Sequence, residues 1–271
     1  MNGNGETRLE STFSLRAGLV VRFVDRCTMK PPVRDIPQVE LEGYPQRAIR
    51  KADEGLVLLL KAPRGPVRLH IRSSIYLPET MELDLSAAQD ECPTVTVPLT
   101  PSPAYPAGAG VTVLRASIRD KDHRPLAGAR LRVRPIDEVC MSARLVEDAA
   151  KGRDYVKVTG RPGLYEGFPY FFYHKDAKKQ ELCRIMRLHP EDRGASLANP
   201  LAFAQTRGTV LFPEFVVFSN ERGEAAVFLP SFRVRCFSVR MEVSLNSLNF
   251  VQEVNVEEGA AQFLGNIVLS N

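Results

Sequence analysis

His174, Cys183 and His189, with Glu191 and Asp192 just beyond, are the residues of this chain whose types could hold a metal. Imidazole, thiolate and carboxylate together suit zinc or iron, which would supply a hydrolytic or redox centre. The spacing is His-x8-Cys-x5-His. Protein zinc sites usually set the two ligands of a pair closer, with roughly two to five residues between them. The five cysteines, Cys27, Cys92, Cys140, Cys183 and Cys236, are widely spread and include no Cys-x-x-Cys pair. Nucleophilic chemistry is no better served, because the chain has neither a Gly-x-Ser-x-Gly elbow nor a glycine-rich phosphate loop. The reading assigns no catalytic residue, no metal ligand and no cofactor, and expects a protein that is not an enzyme.

Two other clusters have the composition of a binding surface. The run PYFFYHK (169–175) places Tyr170, Phe171, Phe172, Tyr173 and Lys175 together. Aromatic side chains beside cations dominate protein interfaces, but the same run also reads as an apolar core strand. Carbohydrate stacking is a third reading, and the absence of Trp counts against it. Arg130, Arg132 and Arg134 step every second residue, which puts all three on one strand face opposite Leu131 and Val133. That face is either solvated or a docking face for an acidic partner. The formal charge of +4 is too small an excess to invoke nucleic acid.

These clusters are positioned by strands. With 271 residues, 20 Pro and 18 Gly, the chain favours many short strands and turns. LVVRFVD (19–25), QVELEG (38–43), LVLLLK (56–61), VRLHIR (67–72), MELDL (81–85) and TVTVPL (94–99) form one set, separated by Pro/Gly/Asp turns. The Pro- and Gly-rich stretch 100–110 reads as a linker. The order then recurs. VTVLRASIRD ends in Asp120 as LVVRFVD ends in Asp25, LRVRP matches QVELE, and SNERGEAAVFL matches KADEGLVLLL. SVRMEVSL, FVQEVNV and FLGNIVL complete the second copy. An insertion over 137–218 interrupts it, and long excursions of this kind are usually functional or a small subdomain. Within it, KKQELCRIMRL (178–188) fits one short helix, with Leu182, Ile185, Met186 and Leu188 near one face, and TVLFPEFVVFS (209–219) fits a returning strand.

The second copy resembles the carboxypeptidase regulatory-like domain. That family's pattern, a strand ending in Asp, a turn and Pro-[Leu/Val]-x-Gly-Ala-x-[Val/Leu], is matched by Asp120, Pro125, Leu126, Gly128, Ala129 and Leu131. Its later turn is matched by Ser219, Asn220, Gly223 and Ala225, and its closing segment by VNVEEGAAQFLGNIVL (254–269). The resemblance implies a seven-stranded prealbumin-like sandwich that serves stability, spacing or partner binding. Enzymes share that fold. Intradiol dioxygenases bind iron through two Tyr and two His, but their His-x-His pair is missing around Tyr165, Tyr170, Tyr173, His174 and His189.

The expectation is an all-β protein: a polar arm 1–17, a first β-sandwich 18–99, the linker 100–110, and a second sandwich 111–271 carrying the insertion. Its expected function is a non-catalytic structural or adaptor protein docked on protein subunits of a larger assembly, of the phage-tail-like, contractile-injection type. A homo-oligomer is a further expectation. The alternatives are a cell-surface module binding glycan or peptide, and a metal-dependent enzyme on a prealbumin-like fold. The N-terminus shows no apolar core of signal-peptide length, and no apolar run approaches the ~18 residues of a membrane span. This predicts a cytoplasmic location with reduced thiols, or a particle assembled in the cytoplasm, with export by an uncleaved route left open.

Overall fold

A computed structural model describes residues 17–32, 35–46, 49–52, 55–60, 63–86, 92–160, 163–174 and 179–270. Lys175, and the polar arm apart from Ala17, lie outside the described residues.

The alternating stretches of the first half are strands: β1 (Ala17–Asp25), β2 (Gln38–Leu41), β3 (Ile49–Lys51), β4 (Leu56–Leu60), β5 (Pro66–Arg72), β6 (Glu79–Asp84) and β7 (Thr94–Leu99). They form two sheets, β3-β4-β1-β7 and β2-β5-β6. Alternation decides the inner face: Leu19, Val21 and Phe23 of β1 are each 0% exposed and meet Val39, Leu41 and Leu69 from the opposite sheet. Each such side chain contributes about 1.5–3 kcal/mol by leaving water.

In the second half come β8 (Thr112–Arg119) and β9 (Arg130–Pro135), then a single 3-10 turn at Glu138–Cys140. The insertion follows as β10 (Ala143–Leu145), β11 (Tyr155–Gly160), β12 (Pro169–Tyr173), β13 (Glu181–His189), β14 (Gly194–Leu197) and β15 (Val210–Pro213). The chain ends with β16 (Phe215–Phe218), β17 (Glu224–Leu229), β18 (Cys236–Leu245), β19 (Leu248–Glu257) and β20 (Ala261–Val268). Sheets β17-β8-β20 and β16-β9-β18-β19 make the second sandwich. The order β4-β1-β7 thus recurs as β17-β8-β20, and β2-β5-β6 as β9-β18-β19. The closing strand is parallel to the opening one in both cases. One strand changes sides: β3 pairs with β4, whereas β16 pairs with β9 in the other sheet.

Where the sequence pattern matched a family turn, the two segments meet in space. Asp120 Oδ1 accepts the Asp122 and Arg124 N–H groups at 2.8 and 2.9 Å, closing the turn after β8. Ser219 Oγ accepts the Ala129 N–H at 2.9 Å and donates to the Leu126 carbonyl at 2.6 Å.

The insertion closes into a barrel of order β10-β11-β14-β13-β12-β15, filled by Val156, Phe168, Tyr170, Phe172, Ile185 and Leu211 among others. The helix expected over 178–188 is not formed; its described residues include most of β13. Cys183 and Ile185 point inward on strand period, and β12 and β14 on either side supply the ladder that a helix would have to forgo. A register shift between Ile185 and Arg187 adds a residue at Met186, and that bulge mimics a helical period in the sequence. The stretch 209–219 is two strands, not one. β15 completes the barrel, Glu214 turns the corner, and β16 joins the second sandwich.

Candidate functional site

The arginine face expected from alternation exists, and the chain itself covers part of it. Leu131 and Val133 are buried at 0% exposure while Arg130, Arg132 and Arg134 share the opposite face. Glu214, at the corner where the chain leaves the barrel, reaches Arg132 with Oε1 3.3 Å from Nε, and Arg132 Nη1 donates to Glu242 Oε2 at 3.1 Å. The first contact is an ion pair without hydrogen-bond alignment, since Arg132 Nε has no hydrogen-bond partner, and the other carboxylate oxygen, Glu214 Oε2, has none either. Burial pushes the Glu214 carboxyl up, and Arg132, Arg134 and Arg130 pull it partly back. The Arg134 guanidinium lies 3.5 Å above the Phe171 ring. One of the two acids on this face, Glu214, and the aromatic, Phe171, therefore come from the insertion of the same chain.

The aromatic run divides by strand parity. Tyr170 and Phe172 point into the barrel at 1% and 0% exposure, which removes them from any partner's reach. The Tyr170 hydroxyl accepts the Tyr165 N–H at 2.8 Å and donates to the Gly163 carbonyl at 3.1 Å, satisfying the polar end of a buried ring. Phe171 faces outward under Arg134, opposite Leu182 of β13. Tyr173 remains 45% exposed, its ring edge against Phe212. With Leu182 at 50% and Met186 at 54%, it gives the outer face of β12 and β13 an apolar strip beside Arg184.

The residues with metal-binding types are not brought together. His174 follows the end of β12, beside the start of β13, and His189 is the last residue of that nine-residue strand. Cys183 lies inside the barrel, where burial raises its thiol far above the usual range. Among the described residues, no group of three His, Cys, Asp or Glu side chains is placed to hold a metal. His189 accepts or donates with Ser196 Oγ at 2.9 Å and lies 3.5 Å from Glu191, and Tyr155 packs on its ring. Ser196, His189 and Glu191 thus form a hydroxyl–imidazole–carboxylate line. Ser196 sits mid-strand between β11 and β13, and the Gly194 and Leu197 amides of the same strand are committed to Asp192 and Asp154, so neither serves this line as an oxyanion donor.

A buried polar junction lies outside the candidate site residues read from the sequence. Asp25, 3% exposed, ends β1. Its Oδ1 accepts the Cys27 and Thr28 N–H groups at 2.7 and 3.3 Å. Its Oδ2 accepts the Tyr76 and Tyr105 hydroxyls at 2.8 and 2.6 Å. Tyr105 belongs to the 100–110 stretch, and its ring edge meets Phe228 of β17 at 5.1 Å, so this one carboxylate ties the first sandwich to the second. Next to it, buried Arg26 lies 5.2 Å from the Phe168 ring of the barrel and 5.1 Å from Phe215 of β16, and donates to the Glu214 carbonyl at 2.6 Å. Burial brings its pKa down to about 10. Val24 and Met29 extend the same contact onto the barrel core. The available sequence signal was a polar strand end followed by Arg, Cys and Thr, which reads as an ordinary turn.

Burial, and then the hydrogen bond to Asp25, hold the Tyr76 and Tyr105 phenols protonated well above their usual range. A group whose folded pKa is raised contributes stability that is fully present below its unfolded pKa, about 10 for tyrosine, and lost as pH rises beyond it. The expected result is a thermal midpoint that falls steeply above pH ~10. Tyr76→Phe should remove part of that fall; an unchanged alkaline slope in the variant would rule out this origin.

Two sandwiches packed around a closed barrel define a modular all-β protein, and buried Asp25, Arg26 and Glu214 join its parts. No protein-family model matches the sequence, and no curated protein aligns with it. Among solved structures, the shaft pilin SpaA of Lactobacillus rhamnosus GG aligns over 94% of this chain and 97% of its own at 9% identity, with a TM-score of 0.26. A streptococcal ancillary pilin aligns over 93% of this chain and 68% of its own at 8% identity and TM-score 0.26. The TIE protein of Bacillus anthracis aligns over 95% of this chain and 51% of its own at 8% identity and TM-score 0.24. The cytoplasmic location expected from the sequence is corrected here: it conflicts with pilus subunits as neighbours and is withdrawn.

Proposed function

We propose that this protein is a non-catalytic structural adaptor that docks on other protein subunits of a larger assembly. The observation that carries this is the outer face of the barrel. Tyr173, Leu182 and Met186 are each about half exposed there, on strands held rigid by the ladder on both sides. Burying such side chains against a partner would contribute about 1–2 kcal/mol each. Arg184 and Arg187 on the same strand suit a partner with apolar side chains rimmed by carboxylates. The barrel is clamped between two sandwiches through Arg26, Phe171 and Glu214, so it presents this face without a hinge. A subunit of a phage-tail-like particle is the concrete form of this reading.

The test is sedimentation of the protein from a gentle lysate of its source, comparing the unaltered chain with a Leu182→Glu, Met186→Glu variant. The unaltered chain is expected in a heavy fraction with fixed companions. The variant should leave the heavy fraction and run without companions, with its thermal midpoint unchanged. Retention of the variant in the heavy fraction would refute this face. An unaltered chain that runs free at every concentration would refute the adaptor reading.

A further inference from the structure

A second surface has a shape that fits a different occupant, and it does not depend on the barrel face. β20 is the outer strand of β17-β8-β20, and among the described residues nothing pairs with its free edge. Its counterpart in the first sandwich, β7, has its edge closed by the barrel: a Cβ on Gly167 would stand 3.0 Å from the Thr96 carbonyl. Exposed edges are normally protected by charge. β19 carries Glu253 and Glu257, and β6 carries Glu79, Glu82 and Asp84. β20, AQFLGNIV, has no charged residue over eight positions, and it exposes Phe263 at 65% and Val268 at 37%.

A bulge places these two side chains together. Phe263 lies opposite Arg115, but Asn266 lies opposite Ser117, so one extra residue is taken up at Leu264–Gly265. Five positions apart on a regular strand, Phe263 and Val268 would face opposite sides; the bulge returns both to the outer face, beside Arg115 and Arg119. That spacing is self-complementary. Two copies of β20 laid antiparallel, with Gly265 opposite Asn266 of the other copy, set Phe263 opposite the second copy's Val268 and Val268 opposite its Phe263. An aromatic facing a β-branched residue is a favourable cross-strand pair, and a two-fold axis makes it twice. With no charge on the strand, no like charges meet across the seam.

We infer that β20 is a self-association edge, joining two copies of this chain through a continuous sheet with Phe263–Val268 contacts on either side of the axis. The experiment uses the full chain with Cys92→Ser and Cys236→Ser, since both thiols are exposed. In this background, Phe263→Cys combined with Val268→Cys should oxidise to a covalent pair of about 60 kDa, twice 30.2 kDa, while neither single variant does so in this register. Sedimentation equilibrium should show a concentration-dependent dimer. Val268→Lys should weaken it roughly tenfold to thirtyfold with the thermal midpoint unchanged. A chain that stays monomeric up to about 100 µM overturns the inference, as does a dimer that Val268→Lys leaves intact. The Leu182→Glu, Met186→Glu variant should dimerise normally, so failure of the barrel face and failure of this edge are told apart.

Discussion

Asp25→Ala is expected to lower the free energy of unfolding by about 3–5 kcal/mol, measured by urea denaturation. The carboxylate accepts four hydrogen bonds and is 3% exposed, so its removal leaves the Cys27 amide and the Tyr76 hydroxyl without partners in places water does not reach. A buried donor left unsatisfied costs about 1–3 kcal/mol. Asp25→Asn keeps one acceptor oxygen and should cost about half as much. The informative control is Asp120→Ala. Asp120 closes the equivalent turn after β8, accepting two backbone amides, but in solvent. Water can replace it there, and the expected loss is about 1 kcal/mol. Equal losses at the two positions would show that the turn, not the buried junction, gives Asp25 its weight. The variant should also loosen the 100–110 stretch, because Tyr105 loses its anchor while keeping its contact with Phe228. Faster amide exchange there, ahead of global unfolding, is the accompanying sign.

Gly223→Ala should cost a similar amount for a different reason. Gly223 has φ +73°, and a Cβ there would stand 2.4 Å from the Ile118 carbonyl oxygen and 3.1 Å from the Leu126 amide nitrogen. Both obstacles are backbone, and Ile118 N–H donates to the Gly223 carbonyl at 2.7 Å, so the turn cannot move without breaking the contact that seats it. The left-handed conformation alone costs an alanine about 1–2 kcal/mol, and the clash raises the total to about 3–5 kcal/mol. Gly128 separates the two contributions: its φ is +71°, with open space around the added atom, so Gly128→Ala should show the smaller cost only. If the two variants unfold at the same urea concentration, the steric argument at Gly223 fails.

Both positions show what kind of information a sequence carries. The pattern 120–131 marked Asp120 and Gly128, and the pattern 219–225 marked Ser219 and Gly223. Each is a local motif with a local cause, a turn needing an acceptor or a positive φ. That Ser219 hydrogen-bonds Leu126 and Ala129, about ninety residues away, follows only from the fold. The same holds for the arginines. Alternation placed Arg130, Arg132 and Arg134 on one face, correctly, because side-chain direction in a strand has period two. It could not show that Glu214 and Phe171 would occupy that face, since contacts between residues about 80 and about 40 positions apart leave no periodic trace.

The sequence by itself determined the all-β class, the inner and outer faces of most strands, and the order of strands used twice. Each of these is written in spacings of two residues or in turn residues. It misread β13 because a bulge at Met186 breaks that spacing and four apolar residues then fall near a helical face. Only the tertiary structure decided that the insertion closes into a barrel, that Tyr170 and Phe172 fill it while Tyr173 does not, and that Asp25 and Arg26 join three parts of the molecule. Closure depends on which distant strand supplies the next ladder. Burial of a polar residue depends on what packs over it, and both are properties of contacts that exist only once the chain has folded.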